Sequence, residues 1–241
     1  MPELLFYQKV VVLDKDKHRD LRVGEIRKYD FTRQTNSIPL TAVEFFEAAR
    51  EYPIVFAQLN AEEFMPVALV GLRDKENLLV DRAGKWDARY VPAFVRRYPF
   101  VPSEGAGDGL LVCIDEFHAA VGAENGQRLF ASDGAPTPFL QKAMAFLSDY
   151  QSESIRTRAF VKRLAELDLF TEVQARAELR NGGAFQLSGL FVVSEPKYRA
   201  LDKDVVDELF RKGWLASIDA HLLSLGNLGR LIDRLAENKP K

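Results

Sequence analysis

The run Ile54-Val55-Phe56-Ala57-Gln58-Leu59, the cluster Asn60-Ala61-Glu62-Glu63 and the run Pro66-Val67-Ala68-Leu69-Val70-Gly71-Leu72 decide the fold class of this chain. Each apolar run is too short for a helix and rich in β-formers, and the polar cluster between them has the composition of a turn. The pair therefore reads as neighbouring strands. A second polar cluster, Asp74-Lys75-Glu76-Asn77, leads to Leu78-Leu79-Val80 and extends the reading to a three-strand meander. Strands joined by such short connections are antiparallel, since a parallel pair needs a crossover of a dozen residues or more.

Working outward, Leu4 to Leu13 reads as a strand and Asp14 to Asp20 as a charged turn. Ile38-Pro39-Leu40-Thr41 reads as the opening of a helix, with Thr41 and Glu44 at capping-box spacing and Val43, Phe46 and Ala49 continuing it as far as Tyr52-Pro53. A helix is expected over about Ala88 to Tyr98, where Pro99 ends it, then a glycine-rich loop from Ser103 to Gly109, and strands at Leu110 to Ile114 and Arg128 to Phe130. Beyond Thr137 the spacing becomes helical. Phe139, Leu140, Ala143, Phe146 and Leu147 mark one helix, and Phe160, Val161, Leu164 and Leu167 a second. Thr171 to Leu179 and Ala184 to Ser194 form a hairpin around Asn181-Gly182-Gly183. Val205, Leu209 and Phe210 begin another helix, with Gly213 as its C-cap, and a last helix runs from about Leu215 to Ala236. The expected class is α+β: mixed, largely antiparallel sheets with helices packed alongside and a helix-rich C-terminal half. One unit over 1–241 is expected, the 103–109 loop being the one possible internal boundary.

The 33 basic and 35 acidic residues are mixed along the chain and leave a net charge of −2. Nucleic-acid binding rests on a basic excess that neutralises phosphates, so no nucleic-acid partner is expected. A single cysteine, Cys113, excludes an internal disulfide and a cysteine-rich zinc site, and its apolar surroundings suit a buried side chain. No run approaches the ~18 apolar residues of a membrane span. Glu3, Gln8 and Lys9 interrupt the stretch where a signal peptide is continuously apolar, so a cytoplasmic protein is expected.

Few residues carry a chemical signal. His18-Arg19-Asp20 has the spacing of the first two ligands of a 2-His-1-carboxylate iron site, with His118 or His221 as the distal histidine, but the pair sits in a charged turn that also reads as a solvated one. Asp115, Glu116 and His118 follow a strand, as metal ligands, an acid–base pair and ordinary turn residues all do. His221 and Ser224 share a helix face without the strand–turn–helix nucleophile motif that a triad needs. The glycines between Ser103 and Gly109 precede a strand, whereas a phosphate loop precedes a helix. The most distinctive segment is Trp86 to Phe100, in which Trp86, Tyr90, Arg96 and Arg97 combine the residue types enriched at recognition hot spots, while Phe94, Tyr98 and Phe100 fit a core.

At this segment the chain resembles the SapC family of bacterial proteins. The resemblance is carried by Tyr52-Pro53-Ile54-Val55-Phe56, Leu69-Val70-Gly71-Leu72, Asn77 to Asp81, Gly84-Lys85-Trp86, Tyr90 to Phe100, and Ile114-Asp115-Glu116. It continues through Leu129-Phe130, Asp133-Gly134, Phe146-Leu147, Leu187 to Leu190, and Gly213-Trp214-Leu215 to Asn227. His18 falls where such proteins carry a histidine. Val193-Ser194-Glu195 departs from the pattern, which has an Asp-Glu pair there.

The resemblance implies no established enzyme activity and transfers no catalytic residue. It implies a setting beside 2-oxoglutarate/iron oxygenases, flavin-dependent halogenase-like proteins and TonB-dependent receptors. The expectation is a non-catalytic accessory protein that recognises a peptide or a partner protein in a peptide-modification or nutrient-uptake system, without a cofactor or metal. Its candidate binding residues are Trp86, Tyr90, Arg96, Arg97, His18 and His221. The alternative is an iron/2-oxoglutarate oxygenase-like enzyme using His18, Asp20 and a distal histidine.

Overall fold

The structure, a computed structural model, describes residues 5–60, 62–104, 110–178 and 184–237. The expected meander is half present. Strands β4 (Ile54–Gln58) and β5 (Phe64–Leu69) pair antiparallel, with Ile54 opposite Ala68 and Gln58 opposite Phe64. Leu78 to Val80 is not the third strand. It makes one backbone hydrogen bond beside β5, from the Leu78 N–H to the Val70 carbonyl, and is otherwise held by Asn77, which donates to the Thr32 carbonyl and accepts from the Leu79 N–H. The turn that precedes it closes directly on Gly71, where a Cβ atom would lie 1.9 Å from the Glu76 carbonyl oxygen. The open side of β5 is taken by β3 (Ser37–Pro39), in the stretch expected to open a helix. Pro39 has no N–H for a ladder, which suits an edge strand.

On its other side β4 pairs with β10 (Ala184–Val193), and β10 with β9 (Phe170–Glu178), giving a five-stranded antiparallel sheet in the order β3-β5-β4-β10-β9. The expected hairpin is thus present, and Asn181-Gly182-Gly183 lies outside the described residues. A second sheet places β7 (Leu110–Asp115) between β1 (Val10–Val12) and β6 (Phe100–Glu104). The strand expected over Leu4 to Leu13 shortens to β1. Ser103 and Glu104 pair with Leu111 and Leu110 in the β6–β7 ladder, while 105–109 lie outside the described residues. The two-residue strands β2 (Arg22–Val23) and β8 (Gln127–Arg128) form a third pair.

The capping box at Thr41 and Glu44 is present, but it opens only a 3-10 turn, Ala42–Glu44, and the single-turn helix α1 (Phe45–Ala48). Phe45 is buried while Val43 and Phe46 face outward. The helix expected over Ala88 to Tyr98 shrinks to α2 (Ala93–Arg96), because Pro92 allows a helix to begin only after it. The two helices expected after Thr137 are one 29-residue helix, α3 (Pro138–Glu166), with Thr137 as N-cap and Pro138 at its first position. At about 1.5 Å per residue it is roughly 43 Å long. Leu140 and Leu147 enter a small core with Phe100, Val112, Ile114 and Leu129, whereas Phe160, Val161 and Leu164 enter the larger core around the five-stranded sheet. After β10 come α4 (Glu195–Arg199) and α5 (Lys203–Arg211), and Gly213 at φ +72° supplies the left-handed residue that ends the latter. The long last helix is divided into α6 (Trp214–Ser224) and α7 (Leu228–Glu237) by a 3-10 turn at Leu225–Asn227. No helix among the described residues is long and apolar enough to cross a membrane.

Candidate functional site

The aromatic and arginine segment folds around a buried carboxylate. Glu44 is 5% exposed and accepts four hydrogen bonds. Its Oε2 takes the Thr41 N–H at 2.8 Å and the Thr41 hydroxyl at 2.9 Å, and its Oε1 takes the Tyr90 hydroxyl and the Ala93 N–H, each at 2.7 Å. Buried carboxylates are tolerated when every oxygen is engaged in this way. Trp86 is also inside: its indole N–H donates to the Tyr52 hydroxyl at 2.9 Å, and that hydroxyl donates to the Tyr90 carbonyl. Burial raises the pKa of both tyrosines, and the Glu44 charge adds to the rise at Tyr90.

Arg96 and Arg97, adjacent in sequence, separate in space. Arg96 is exposed and lies against the rings of Tyr90 and Phe146, at 5.7 and 5.2 Å, with its Nε donating to the Val91 carbonyl. Arg97 is 3% exposed, with its guanidinium carbon 4.0 Å from the ring centroid of Phe94, 4.9 Å from that of Tyr150 and 5.7 Å from that of Tyr7. A guanidinium is the cation best suited to such a site, being flat, weakly hydrated and attracted to ring faces.

The histidines are occupied. His18 accepts the Asp14 N–H on Nδ1 at 2.9 Å, which leaves the proton on Nε2, 3.1 Å from Glu116 Oε1. Lys9, Lys17 and His18 together hold the Glu116 carboxyl down at about 2. Asp20 turns away to pair with Arg128, so His18 and Asp20 do not converge. His221 is fully buried in the other core, its Nδ1–H donating to the Ile54 carbonyl at 2.9 Å and its Nε2 accepting the Val193 N–H at 3.0 Å. Burial lowers its pKa to about 4, the Ile54 carbonyl opposing that shift. Among the described residues no three His, Cys, Asp or Glu side chains are grouped to hold a metal ion.

Asp115 is likewise committed. Burial pushes its pKa up, but the N–H groups of Gln8, Lys9 and Phe117 and the Tyr98 hydroxyl outweigh burial and leave it lowered. The Nδ1 of His118 accepts the Ala120 N–H, and burial lowers its pKa. Cys113 is buried, which raises its thiol pKa.

Space for a ligand lies beside the middle of α3. A cavity of about 560 Å³ opens between the β4–β5 hairpin and the middle of α3. Leu40, Phe64, Met65, Phe94 and Val161 give it apolar walls, and Arg97, Tyr150, Ser154, Thr157 and Arg158 its polar groups. A second cavity shares Glu63, Phe64 and Arg158 with the first and continues along α3 to Glu166, Phe170 and Phe191. Together they form one groove. Thr157 anchors its helical wall, accepting the Ala42 N–H at 2.7 Å. Of the residues picked from sequence only Arg97 lines this groove. The missed ones, Tyr150, Ser154, Thr157, Val161 and Ala165, recur at three- and four-residue intervals on α3, a signal that reading two separate helices conceals.

A family model described as SapC matches residues 13–231 of the chain. Neither a curated protein nor a solved structure matches it.

Proposed function

The chain belongs to the SapC family, and on that premise we propose that it is a non-catalytic accessory protein that recognises a peptide segment, free or exposed on a partner protein. The observation that carries this reading is the groove along α3. From Tyr150 to Glu166 the helix runs about 24 Å, the span of roughly seven residues of extended chain. Apolar and aromatic walls with a few convergent polar groups are the ordinary make-up of a recognition site. The acidic and imidazole groups away from the groove, at Glu44, Asp115, His18 and His221, are engaged in holding backbone and side chains together, which is what a binding scaffold requires of them.

The setting implied by the family resemblance supplies the kinds of protein that would carry such a segment: an iron oxygenase, a halogenase-like enzyme or a TonB-dependent receptor system. A cytoplasmic location belongs to the same reading.

The test is selection of displayed random heptapeptides on the wild-type protein, with Ser154→Trp as the counter-selection target. Ser154 is a half-buried residue of the groove wall, and an indole there fills the first cavity. Enriched peptides that bind wild type and lose affinity by about tenfold or more on Ser154→Trp, a loss of ~1.4 kcal/mol, support the reading. Absence of enrichment, or peptides indifferent to the substitution, would overturn it.

A further inference from the structure

We infer that β9 is the contact edge of a symmetric pair of these chains, each copy adding its β9 antiparallel to the other's so that the two sheets run into one. The five-stranded sheet has two unlike edges. β3 is three residues long and carries Pro39, which has no N–H to offer a further strand. β9 is nine residues long, Phe-Thr-Glu-Val-Gln-Ala-Arg-Ala-Glu, with no proline, glycine or lysine to guard it, and it pairs with β10 alone.

The free edge can be assigned residue by residue. The Ser194 N–H donates to the Leu169 carbonyl at 2.8 Å, whereas the Val193 N–H, opposite Phe170, donates to His221. Leu169 therefore presents its carbonyl to β10 and Phe170 presents its main chain to the outside, an alternation that continues along the strand. The extra residue of the bulge in this ladder lies on β10, where the three steps from Leu187 to Leu190 match the two from Ala175 to Val173, with Gly189 at φ +69°. β9 itself keeps its phase, so the N–H and C=O groups of Phe170, Glu172, Gln174, Arg176 and Glu178 line the open edge. β10 meets β4 only at Leu190 and Phe191. Among the described residues, Ala184 to Leu187 and the part of β9 opposite them thus form a two-stranded ribbon beyond the sheet. Two strands alone are marginal in water, and a second ribbon supplies the third and fourth.

The order of charges selects both the occupant and the register. Pairing over all nine residues places Gln174 opposite itself on a two-fold axis, and the exposed Glu172 of each copy opposite Arg176 of the other. A slide of two residues one way sets Glu172 opposite Glu178, and a slide of two the other way sets it opposite Gln174. One register therefore joins the greatest length to two pairs of opposite charge, while like charges directly opposite are destabilising. A strand complementary to itself about its own centre is what an isologous contact between identical chains requires.

Sedimentation velocity of the full chain from about 1 to about 100 μM should show conversion to a species of twice the chain's 27.3 kDa. Gln174→Pro removes an outward N–H, which an edge strand tolerates, so it should keep its circular dichroism and sediment as a monomer. Glu172→Arg should raise the dissociation constant about tenfold by setting like charges opposite each other twice. Adding Arg176→Glu to it should restore affinity to within about threefold. The two positions lie about 13 Å apart along one strand, so that rescue has to come from the other copy. Gln174→Cys should cross-link to its own copy on mild oxidation, since directly opposed Cα atoms are about 5.5 Å apart, while Val173→Cys, set opposite Ala175, should not. Cys113 is buried and adds no background. A wild-type protein that stays monomeric over the whole range would overturn the proposal, as would a dimer indifferent to Gln174→Pro. A dimer lost in Gln174→Pro but not rescued by the charge exchange would overturn the register.

Discussion

His221 donates its Nδ1–H to the carbonyl of Ile54 at 2.9 Å, joining residues 167 positions apart in the sequence. Its other nitrogen takes the Val193 N–H, and Ser224, one helical turn later, takes the Ile54 N–H at 2.9 Å. One face of α6 thus satisfies backbone groups at the start of β4 and the end of β10, where buried N–H and C=O groups must find partners. The arrangement needs a neutral imidazole that donates at one nitrogen and accepts at the other.

Stability is accordingly expected to depend on the His221 proton. The folded pKa, about 4, lies below the ordinary 6.5, so the unfolded chain binds the proton first as pH falls. The contribution is complete above about 6.5 and is lost as pH drops towards 4, by about 3 kcal/mol in all. Urea unfolding at pH 7 and pH 4.5 should show this fall in wild type and a smaller one in His221→Phe. An equal fall in both would disprove the assignment.

Glu44→Gln should destabilise the fold by about 2–3 kcal/mol. All four hydrogen bonds to Glu44 come from donors, and an amide must turn its NH₂ towards one pair of them. Denaturation midpoints for Glu44→Gln and Glu44→Asp decide the point, because the aspartate keeps acceptor character and loses only reach. A harmless Gln would mean that the carboxylate is not held as described.

The Tyr52 hydroxyl sits between the Trp86 indole and the Tyr90 carbonyl. Tyr52→Phe leaves that donor and that acceptor buried, at an expected cost of about 1–3 kcal/mol. Thermal unfolding gives the cost, and Trp86 fluorescence reports the lost hydrogen bond independently. A variant as stable as wild type would mean that water enters to replace the hydroxyl.

Arg96→Ala should change stability by no more than about 1 kcal/mol, the scale of an exposed guanidinium on aromatic rings. It should leave heptapeptide binding intact, because Arg96 is not among the groove-lining residues. Loss of binding in this variant alone would move the recognition surface out of the groove and onto the Tyr90 face.

The fold was legible where one local rule dominated. Apolar runs bounded by polar clusters located β4 and β7, the Asn181-Gly182-Gly183 turn signal located the β9–β10 hairpin, and the spacing of Thr41 and Glu44 located the capping box. It was misread where tertiary partners decide. Ser37–Pro39 forms a strand because β5 offers an edge, and the polar middle of α3 stays helical because its two ends lie in different cores. The site was less legible still. Arg96 and Arg97 are successive residues whose side chains leave the backbone about 100° apart, one to solvent and one inward, and sequence alone does not say which. The groove needs residues from β5, the β4–β5 connection, α2 and α3 at once, a combination no local pattern announces.

Because Leu147 and Phe160 serve different cores from one continuous rod, the rotational phase of α3 between them is fixed by the number of residues that separate them. Inserting or deleting a single residue there would rotate one end against the other by about 100° and slide it by about 1.5 Å, withdrawing one set of side chains from its core. A seven-residue change comes within about 20° of restoring the phase. Length variation in this protein should therefore accumulate in its connections, while the middle of α3 tolerates substitution on its outer face but scarcely any change in count.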